Sequence, residues 1–438
     1  MNLDVNQIKT EAKQITDRNL LAVIHLTNIT PTRIGGYNAK PYSHELELAE
    51  GFRTSEVKGI WRWWLRTTLA GALWDLHGET DEKIVKEKTN QLLGSTESAS
   101  KFALKVSVSS ANTHKPDMNI IKNIPRLRML TMKKGDAKHD EQLTIYPSES
   151  LKITISLYEQ AVPLADTSSR RVAFGTLLLA LLLQGMGAVT RRGFGHFQIT
   201  LKNTKNDLDN YRKITEEINL ANNVQQMQKA VDGFIEQVRK DAKEFLQQGS
   251  TVERSTAKPS VLPKFPVLSG NTDLFKLKLL AINEPRQYEL LRKIGKATMK
   301  ISWKLTLNLG QVTGAVLDSW VLGLPRYARD TGYRSNETER RPSAIAIAPL
   351  KKTQGGYLVA LYGFLSSDWP IQTLKWKSKE KEYRVNTISE QKEIKNLLTK
   401  FEGNPRYQRI AECLRQRDEN RLRSAFNLAF ELVENCLK

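Results

Sequence analysis

Apolar residues recur in two periods along the first half of the chain, and together they predict strands that alternate with helices. Leu20–Ile29 is an apolar run with β-branched residues, which is typical of a buried strand. Every second residue is apolar in Phe102–Val108 and again in Leu151–Leu157, so two half-buried strands are expected there. A short strand is also expected at Phe197–Leu201.

Two helices are expected between these strands. The first contains the stretch RTSEVKGIWRWWLR, with Ser55 as its N-cap and its end near Leu76. At 100° per residue, Trp61 and Trp64 fall on its buried face, whereas Trp63 falls off that face. The second helix is the apolar run Arg170–Gln184. The order β-α-β-β-α-β is that of a ferredoxin-like domain.

Composition shifts divide the chain into a first domain, a linker and a second domain. The first domain is expected at 1–250, with a basic insertion at 109–150 and a helical extension at 203–246. Residues 251–270 are rich in Ser, Thr and Pro and are interpreted as the linker. The second domain is expected at 271–438.

The second half of the chain has a weaker pattern. Alternating apolar residues predict a strand over Trp303–Leu309, and a helix is expected at 314–322. Ser343–Ala348 and Tyr357–Tyr362 predict a hairpin. Two amphipathic helices are expected to close the chain, at 388–402 and at 405–437.

The charge balance indicates a polyanionic partner. The 438 residues include 67 Lys+Arg against 47 Asp+Glu, a net charge of +20, which favours nucleic acid over an anionic membrane. A solvated lysine-rich surface is the alternative. Two cysteines fit a reducing cytoplasm, and the N-terminus lacks the apolar core of a signal peptide. The uncharged run between Arg171 and Arg191 is too polar at its end to span a membrane, so a buried helix is expected instead.

Metal and cofactor chemistry has little support in the sequence. The six histidines are scattered, and neither CxxC nor HExxH occurs. The glycines at 185 and 187 follow a helix and precede a strand, which is the reverse of a dinucleotide-binding fingerprint. We therefore expect no metal and no cofactor.

Basic and glycine-containing segments are the candidates for phosphate binding. Lys58, Arg62 and Arg66 recur every four residues along one face of the first helix. The loop Thr190–Phe197 combines two arginines with two glycines, whose amides could hold a phosphate, although a purely structural turn is equally open. An arginine-rich loop at 326–341 includes tyrosines that could stack bases.

These segments, taken in order, resemble the RAMP superfamily of CRISPR-associated proteins, most closely the family of first Cmr subunits of type III-B effector complexes. The resemblance is carried by Thr30–Gly36, by Ser55–Arg66 with its KGIWRWWLR run, and by Leu92–Ser95. It continues in Arg191–Gly195, and then in LGLPR and RRPS of the second half, which are only suggestive. His196 departs from it, because a small residue is expected at that position.

The resemblance implies an α+β protein with two ferredoxin-like domains and helical insertions. It further implies crRNA and target single-stranded RNA as ligands, other Cmr subunits as partners, and a recognition role without catalysis. The loop at 30–52 contains no aspartate, which is consistent with that role. The residues expected to bind RNA are Arg33, Gly35, Gly36, Tyr37, Lys58, Arg62, Trp63, Arg66, Arg191, Arg192, Gly193, Phe194, Gly195, Arg326, Arg340 and Arg341.

Two other functions stay open at this point. A metal-independent endoribonuclease that processes CRISPR RNA would need a general base, and His44, with Tyr37 and Lys40, is the best set the chain offers. A scaffold subunit would use the basic surface to bind acidic proteins alone.

Overall fold

A computed structural model describes most of the chain. The described residues are 19–33, 53–111, 123–125, 145–160, 165–248, 262–309, 316–324, 326–328, 331–337, 340–377, 382–385, 391–417 and 419–438. Most of the predicted insertion at 109–150 and about half of the predicted linker at 251–270 therefore lie outside them. The limits of the two predicted domains stay a prediction.

The first half contains a four-stranded antiparallel sheet. Its strands are β1 (Leu20–Asn28), β2 (Phe102–Ala111), β3 (Leu151–Glu159) and β4 (Phe197–Lys202). They lie in the order β2-β3-β1-β4, and each neighbouring pair is antiparallel. This is the strand order of a ferredoxin-like domain, and all four predicted strands are confirmed.

Helices cover one face of this sheet. They are α1 (Thr54–His77), α2 (Glu82–Leu93) and α3 (Thr167–Leu179), which continues as a π-helical turn at Ala180–Gln184. The helix α1 begins one residue before the predicted cap, with Arg53 at the N-cap position and no side-chain cap. Asp166 caps α3 by accepting from the amide of Ser169 at 2.8 Å.

After β4, the chain forms a short 3-10 turn and two helices, and then enters a second sheet. The turn is Asn206–Leu208, and the helices are α4 (Asp209–Leu220) and α5 (Val224–Gln247). The next strand and the two helices after it are β5 (Phe275–Ile282), α6 (Gln287–Ala297) and α7 (Lys300–Thr306).

The remaining strands belong to two sheets. A small one is built from β6 (Arg326–Ala328), β7 (Thr331–Arg334), β10 (Lys375–Lys377) and β11 (Glu382–Arg384). The other joins β5 to the hairpin β8 (Ile345–Thr353) and β9 (Gly356–Phe364), as predicted, in the order β5-β9-β8. Three strands in that order match the first three of a ferredoxin-like unit, and among the described residues no fourth strand joins them.

Two predictions for the second half are wrong. Trp303–Leu309 was expected as a strand, but it lies in α7 and the turn after it. Trp303 and Leu307 are buried, four residues apart on one helical face, whereas Leu305 is 76% exposed, so the apolar alternation was accidental. The predicted helix at 405–437 is divided into a 3-10 turn (Pro405–Tyr407), α9 (Gln408–Arg415) and α10 (Arg421–Leu437); α8 (Gln391–Glu402) precedes them.

The strand β9 is buried along its whole length because the second sheet separates two hydrophobic cores. Leu358, Ala360 and Tyr362 belong to the core that also contains the first sheet and its helices. Val359 and Leu361 point the opposite way, into a core with α6, α7 and α10. The helix layer of the first half thus lies between two sheets, and the second sheet lies between two cores. No helix in the described part of the chain is long and apolar enough to cross a membrane.

Candidate nucleic-acid interface

The segment after β1 and the glycine-containing loop before β4 lie against each other. The amide of Ala188 donates to the carbonyl of Arg33 at 2.8 Å, and the amide of Gly195 donates to the carbonyl of Pro31 at 3.0 Å. The amide of His196 donates to Thr30 Oγ1 at 3.2 Å. Spacing along the sequence could not show that these two segments share one end of the fold.

The first turn of α1 joins the same cluster. Glu56 Oε1 accepts from the amide of Gly187 at 2.7 Å. Burial raises the pKa of Glu56, while the hydrogen bond from Gly187 and the charge of Arg53 oppose that rise. We call the segments 30–33, 53–56 and 185–196 the loop cluster.

Two glycines are required for this close approach. Gly187 and Gly195 have φ values of 95° and 64°, which residues with a Cβ rarely adopt. A Cβ on Gly195 would lie 1.9 Å from the carbonyl oxygen of Met186, and one on Gly187 would lie 2.4 Å from that of Arg33. The backbone therefore packs too tightly at both positions for any side chain.

His196 occupies the interior of the loop cluster. The side chain is fully buried, and its Nε2 lies 3.0 Å from the carbonyl oxygen of Thr190. Burial lowers the pKa of His196 to about 4, against the partial compensation of carbonyls at Thr190 and Leu182. The imidazole is thus held inside the loop as a neutral group.

The predicted phosphate-binding arginines of this loop point at the second sheet. Arg191 Nη1 donates to the carbonyl of Ser343 at 2.5 Å, and Arg192 Nη1 donates to that of Ile345 at 3.1 Å. Arg192 Nη2 donates to the carbonyl of Leu322 at 3.0 Å. Burial lowers the pKa of Arg191. These contacts change the expected role of both arginines from holding phosphate to joining the two halves of the chain.

The other residues of the predicted loop motif also make their contacts within the protein. The amide of Gly193 donates to the carbonyl of Thr190 at 3.0 Å, so neither it nor the amide of Gly195 is available to a phosphate. Phe194 is 2% exposed and packs in a small apolar cluster with Ile124, Ile145 and Leu291. In this structure Phe194 therefore packs inside the protein, and its contact with RNA stays a prediction.

The three basic residues along α1 differ in their contacts. Arg62 is bound within the protein, whereas Lys58 and Arg66 remain accessible. Arg62 Nη2 donates to the carbonyls of Leu93 and Gly94, both at 2.8 Å, and so caps the end of α2. Burial lowers the pKa of Arg62, and the neighbouring charge of Arg66 adds to this. Lys58 is half-buried and Arg66 is exposed.

The tryptophans of α1 serve packing. Trp61 and Trp64 are fully buried, as predicted. Trp63 packs edge-on against Trp64 and against Phe364 of β9, with ring centroids 5.2 Å and 5.6 Å away. This position gives Trp63 a place in the contact between the two halves.

The predicted arginines of the second half are spread out. Arg341 Nη2 lies 2.6 Å from Asp368 Oδ1, and its guanidinium lies 4.3 Å from the centre of the Trp369 ring. Arg340 is exposed, and Arg326 lies in β6 opposite Tyr333. Five residues singled out in the first loop lie outside the described residues: Gly35, Gly36, Tyr37, Lys40 and His44.

Sequence reasoning missed Thr30 and Glu56, which organise the loop cluster. The position of Glu56 in the first turn of a helix was the only signal, and it indicates helix stabilisation rather than a contact 131 residues away. Among the described residues, no group of three or more His, Cys, Asp or Glu side chains could hold a metal ion.

Comparison with known proteins agrees with the fold. Residues 25–198 match the model of the RAMP superfamily. No sequence among curated proteins matches the chain.

Three solved structures are similar, each at 16% identity. A crystal structure of Cmr1 from Pyrococcus furiosus in its apo form has a TM-score of 0.49, with 83% of this chain and 92% of that chain covered. A chain in a cryo-EM structure of the type III-B Cmr-beta bound to cognate target RNA and AMPPnP has a TM-score of 0.57, with 79% and 94% covered. A chain in another, bound to cognate target RNA, has a TM-score of 0.52 with the same coverage. The similarity to the last two structures shows that the folds are alike.

Proposed function

We propose that the protein, whose residues 25–198 match the model of the RAMP superfamily, is a non-catalytic RNA-binding subunit of a type III-B Cmr effector complex. In this role it contacts the 3′ region of crRNA, the target RNA, or both, and it binds other Cmr subunits. The similarity of its fold to a chain of Cmr-beta bound to target RNA supports the proposal. A net charge of +20 supports it independently, since RNA is a polyanion.

The observation that carries the proposal is the state of Arg33. This side chain is half-buried at the end of the segment 30–33 of the loop cluster, and burial lowers its pKa. Within the part of the chain that the structure describes, no hydrogen bond or ion pair holds its guanidinium. A partly desolvated cation without a partner is unfavourable, and a phosphate would supply both charge and hydrogen-bond acceptors.

Lys58 and Arg66 extend this positive region along α1. Neither forms an ion pair among the described residues, in contrast to Arg62, whose donors are occupied by the end of α2. We therefore assign phosphate contacts to Arg33, Lys58 and Arg66. Arg326 and Arg340 remain further candidates.

Salt dependence tests this function. Fluorescence anisotropy would measure binding of labelled single-stranded RNAs of unrelated sequence between about 50 and 300 mM KCl. Log affinity should fall with log salt by about 0.7 per phosphate contact. The triple variant Arg33→Ala, Lys58→Ala, Arg66→Ala should bind all sequences about equally weakly, with a salt slope smaller by about 2.

The matched control removes three exposed lysines elsewhere, at Lys83, Lys86 and Lys229. It takes away the same charge but no assigned contact, so its affinity should stay within about threefold of the wild type. An affinity that does not change with salt would contradict the proposal. Co-purification with acidic subunits without any RNA affinity would indicate a protein-only scaffold.

A further inference from the structure

The face of the first sheet that points away from the helices is mostly polar and at least partly exposed. Alternate residues of β1, β3 and β4 point into the core, and their neighbours point outward. The outward side chains include Val23 and His25 of β1, Lys105 of β2, Lys152 and Tyr158 of β3, and Lys202 of β4. We call this surface the open face.

Strand register arranges the open face in rows. Lys105 lies opposite Ser156, Ser156 opposite Val23, and Val23 opposite Lys202. Three strand spacings therefore separate the two lysines, about 14 Å. Lys152 lies opposite Thr27, four residues before Ser156 in β3, at a distance of about 13 Å from it. The three lysines thus form a broad triangle instead of a single cluster.

All charged side chains of the open face are positive. Lys105, Lys152 and Lys202 are exposed, and none of them forms an ion pair in the described part of the chain. The only acidic residue of the four strands is Glu159, which is 1% exposed on the opposite face, 3.7 Å from Arg170. A polyanion could therefore lie across the sheet without meeting a carboxylate from these strands.

Two flat side chains lie in the rows next to that of Lys105 and Lys202, Tyr158 on one side and His25 on the other. Tyr158 is half-buried in β3 opposite Ala103, two residues from Ser156 on the same face. His25 lies opposite Thr154, in the row between those of Ser156 and Lys152, and its Nδ1 is 3.1 Å from Thr154 Oγ1. Rings that lie on a sheet beside basic side chains can stack bases while the lysines contact phosphates.

We propose that the open face is a second binding surface for single-stranded nucleic acid, separate from the loop cluster. It holds the strand through Lys105, Lys152 and Lys202 and stacks one base on Tyr158. The proposal takes the RNA-binding role argued above as its premise and adds a location to it. Because the contacts are with phosphates and a single ring, binding is expected to depend little on sequence.

The test compares three proteins in the same anisotropy assay at about 100 mM KCl. The open-face variant carries Lys105→Ala, Lys152→Ala and Lys202→Ala, and the control carries the substitutions at Lys83, Lys86 and Lys229. Affinity for single-stranded RNA should fall at least about tenfold in the open-face variant and at most about threefold in the control. Equal urea midpoints would establish that all three proteins are folded.

Stacking is tested separately at Tyr158. Tyr158→Phe should bind like the wild type, because it keeps the ring, whereas Tyr158→Ala should lose roughly tenfold. Ultraviolet crosslinking to 4-thiouridine-substituted RNA, followed by peptide mapping, should place an adduct in 151–159. That adduct should disappear in the Tyr158→Ala variant.

The outcomes separate this proposal from the one it rests on. If the open-face variant and the control bind equally while the Arg33, Lys58 and Arg66 variant is weakened, the open face is not an RNA surface and the proposed function stands. If the wild type binds no RNA, the proposed function fails and this inference with it. If the open-face variant keeps RNA affinity but loses a co-purifying Cmr subunit, the surface is a protein interface and the proposal is overturned.

Discussion

The guanidinium of Arg191 lies 5.7 Å from the centre of the Trp63 ring. These two residues come from the most distinctive motifs of the sequence, the tryptophan-rich helix and the glycine-containing loop. They meet at the second sheet, where Arg191 donates to Ser343 and Trp63 packs on Phe364. Residues first considered for RNA binding therefore join the two halves of the chain.

Replacing Arg191 should destabilise the protein. The Arg191→Ala variant loses the hydrogen bond to Ser343, which becomes a buried acceptor without its donor, and it loses the contact with Trp63. We expect the free energy of unfolding to fall by about 2 kcal/mol in urea titration.

The control for Arg191 is Arg212→Ala, because Arg212 forms only exposed pairs along α4 and should change stability by less than about 0.5 kcal/mol. If Arg191→Ala instead loses RNA affinity while its free energy of unfolding is unchanged, Arg191 binds RNA directly and this prediction is wrong.

Two glycine substitutions should have opposite signs. Gly195→Ala forces a Cβ into the carbonyl of Met186 at a φ of 64°, and should lower the free energy of unfolding by at least about 2 kcal/mol. Gly233→Ala, in the exposed face of α5 with open space around it, should raise that free energy by about 0.5–1 kcal/mol. Thermal unfolding measures both, and a neutral Gly195→Ala would refute the tight approach.

Asp318 should be the most sensitive carboxylate of the second core. It is fully buried and pairs with Arg417 at 3.0 Å and with Arg421 at 2.7 Å. Arg417 is itself 1% exposed, so Asp318→Asn leaves a buried cation uncompensated and should reduce the free energy of unfolding by about 3–5 kcal/mol.

Asp273→Asn gives the comparison for Asp318→Asn. Asp273 is 53% exposed in its pair with Arg423, so its replacement should cost less than about 1 kcal/mol. Similar losses in the two variants would show that burial does not set the strength of these pairs.

His196 should make stability fall in mild acid. Its pKa is about 4 in the folded protein and 6.5 in an unperturbed chain, so the unfolded state takes up a proton first. Above about pH 6.5 the neutral His196 causes no loss of stability. As the pH falls toward 4, the free energy of unfolding decreases by about 3 kcal/mol at most. Urea unfolding of wild type and His196→Gln at several pH values isolates this effect as the difference between their slopes. Parallel slopes would mean that His196 is not the group responsible.

The sequence predicted what depends on short-range pattern. The alternation of apolar and polar residues in Leu151–Leu157 identified a strand of the first sheet. The helical spacing of Trp61 and Trp64 identified its helix. Both patterns arise because each element buries one face, so apolar residues recur with the period of that element. The same reasoning failed at Trp303–Leu309, where an exposed Leu305 imitated a strand.

The contacts of the candidate site lay beyond such patterns. Arg191 and Arg192 bind carbonyl oxygens of residues about 150 positions away. Every residue carries a carbonyl, so no side-chain signal marks these acceptors. An arginine that binds protein backbone and one that binds phosphate are indistinguishable until the fold is known.

The aromatic contact between α1 and β9 has a consequence for synthesis. Phe364 follows Trp64 by 300 residues in the chain. At translation rates of about 5–20 residues per second, this surface of α1 is made roughly 15–60 s before its partner strand leaves the ribosome. During that interval the emerging polypeptide presents indole rings to solvent, so its yield in a cell should depend on chaperone supply more than its final stability suggests.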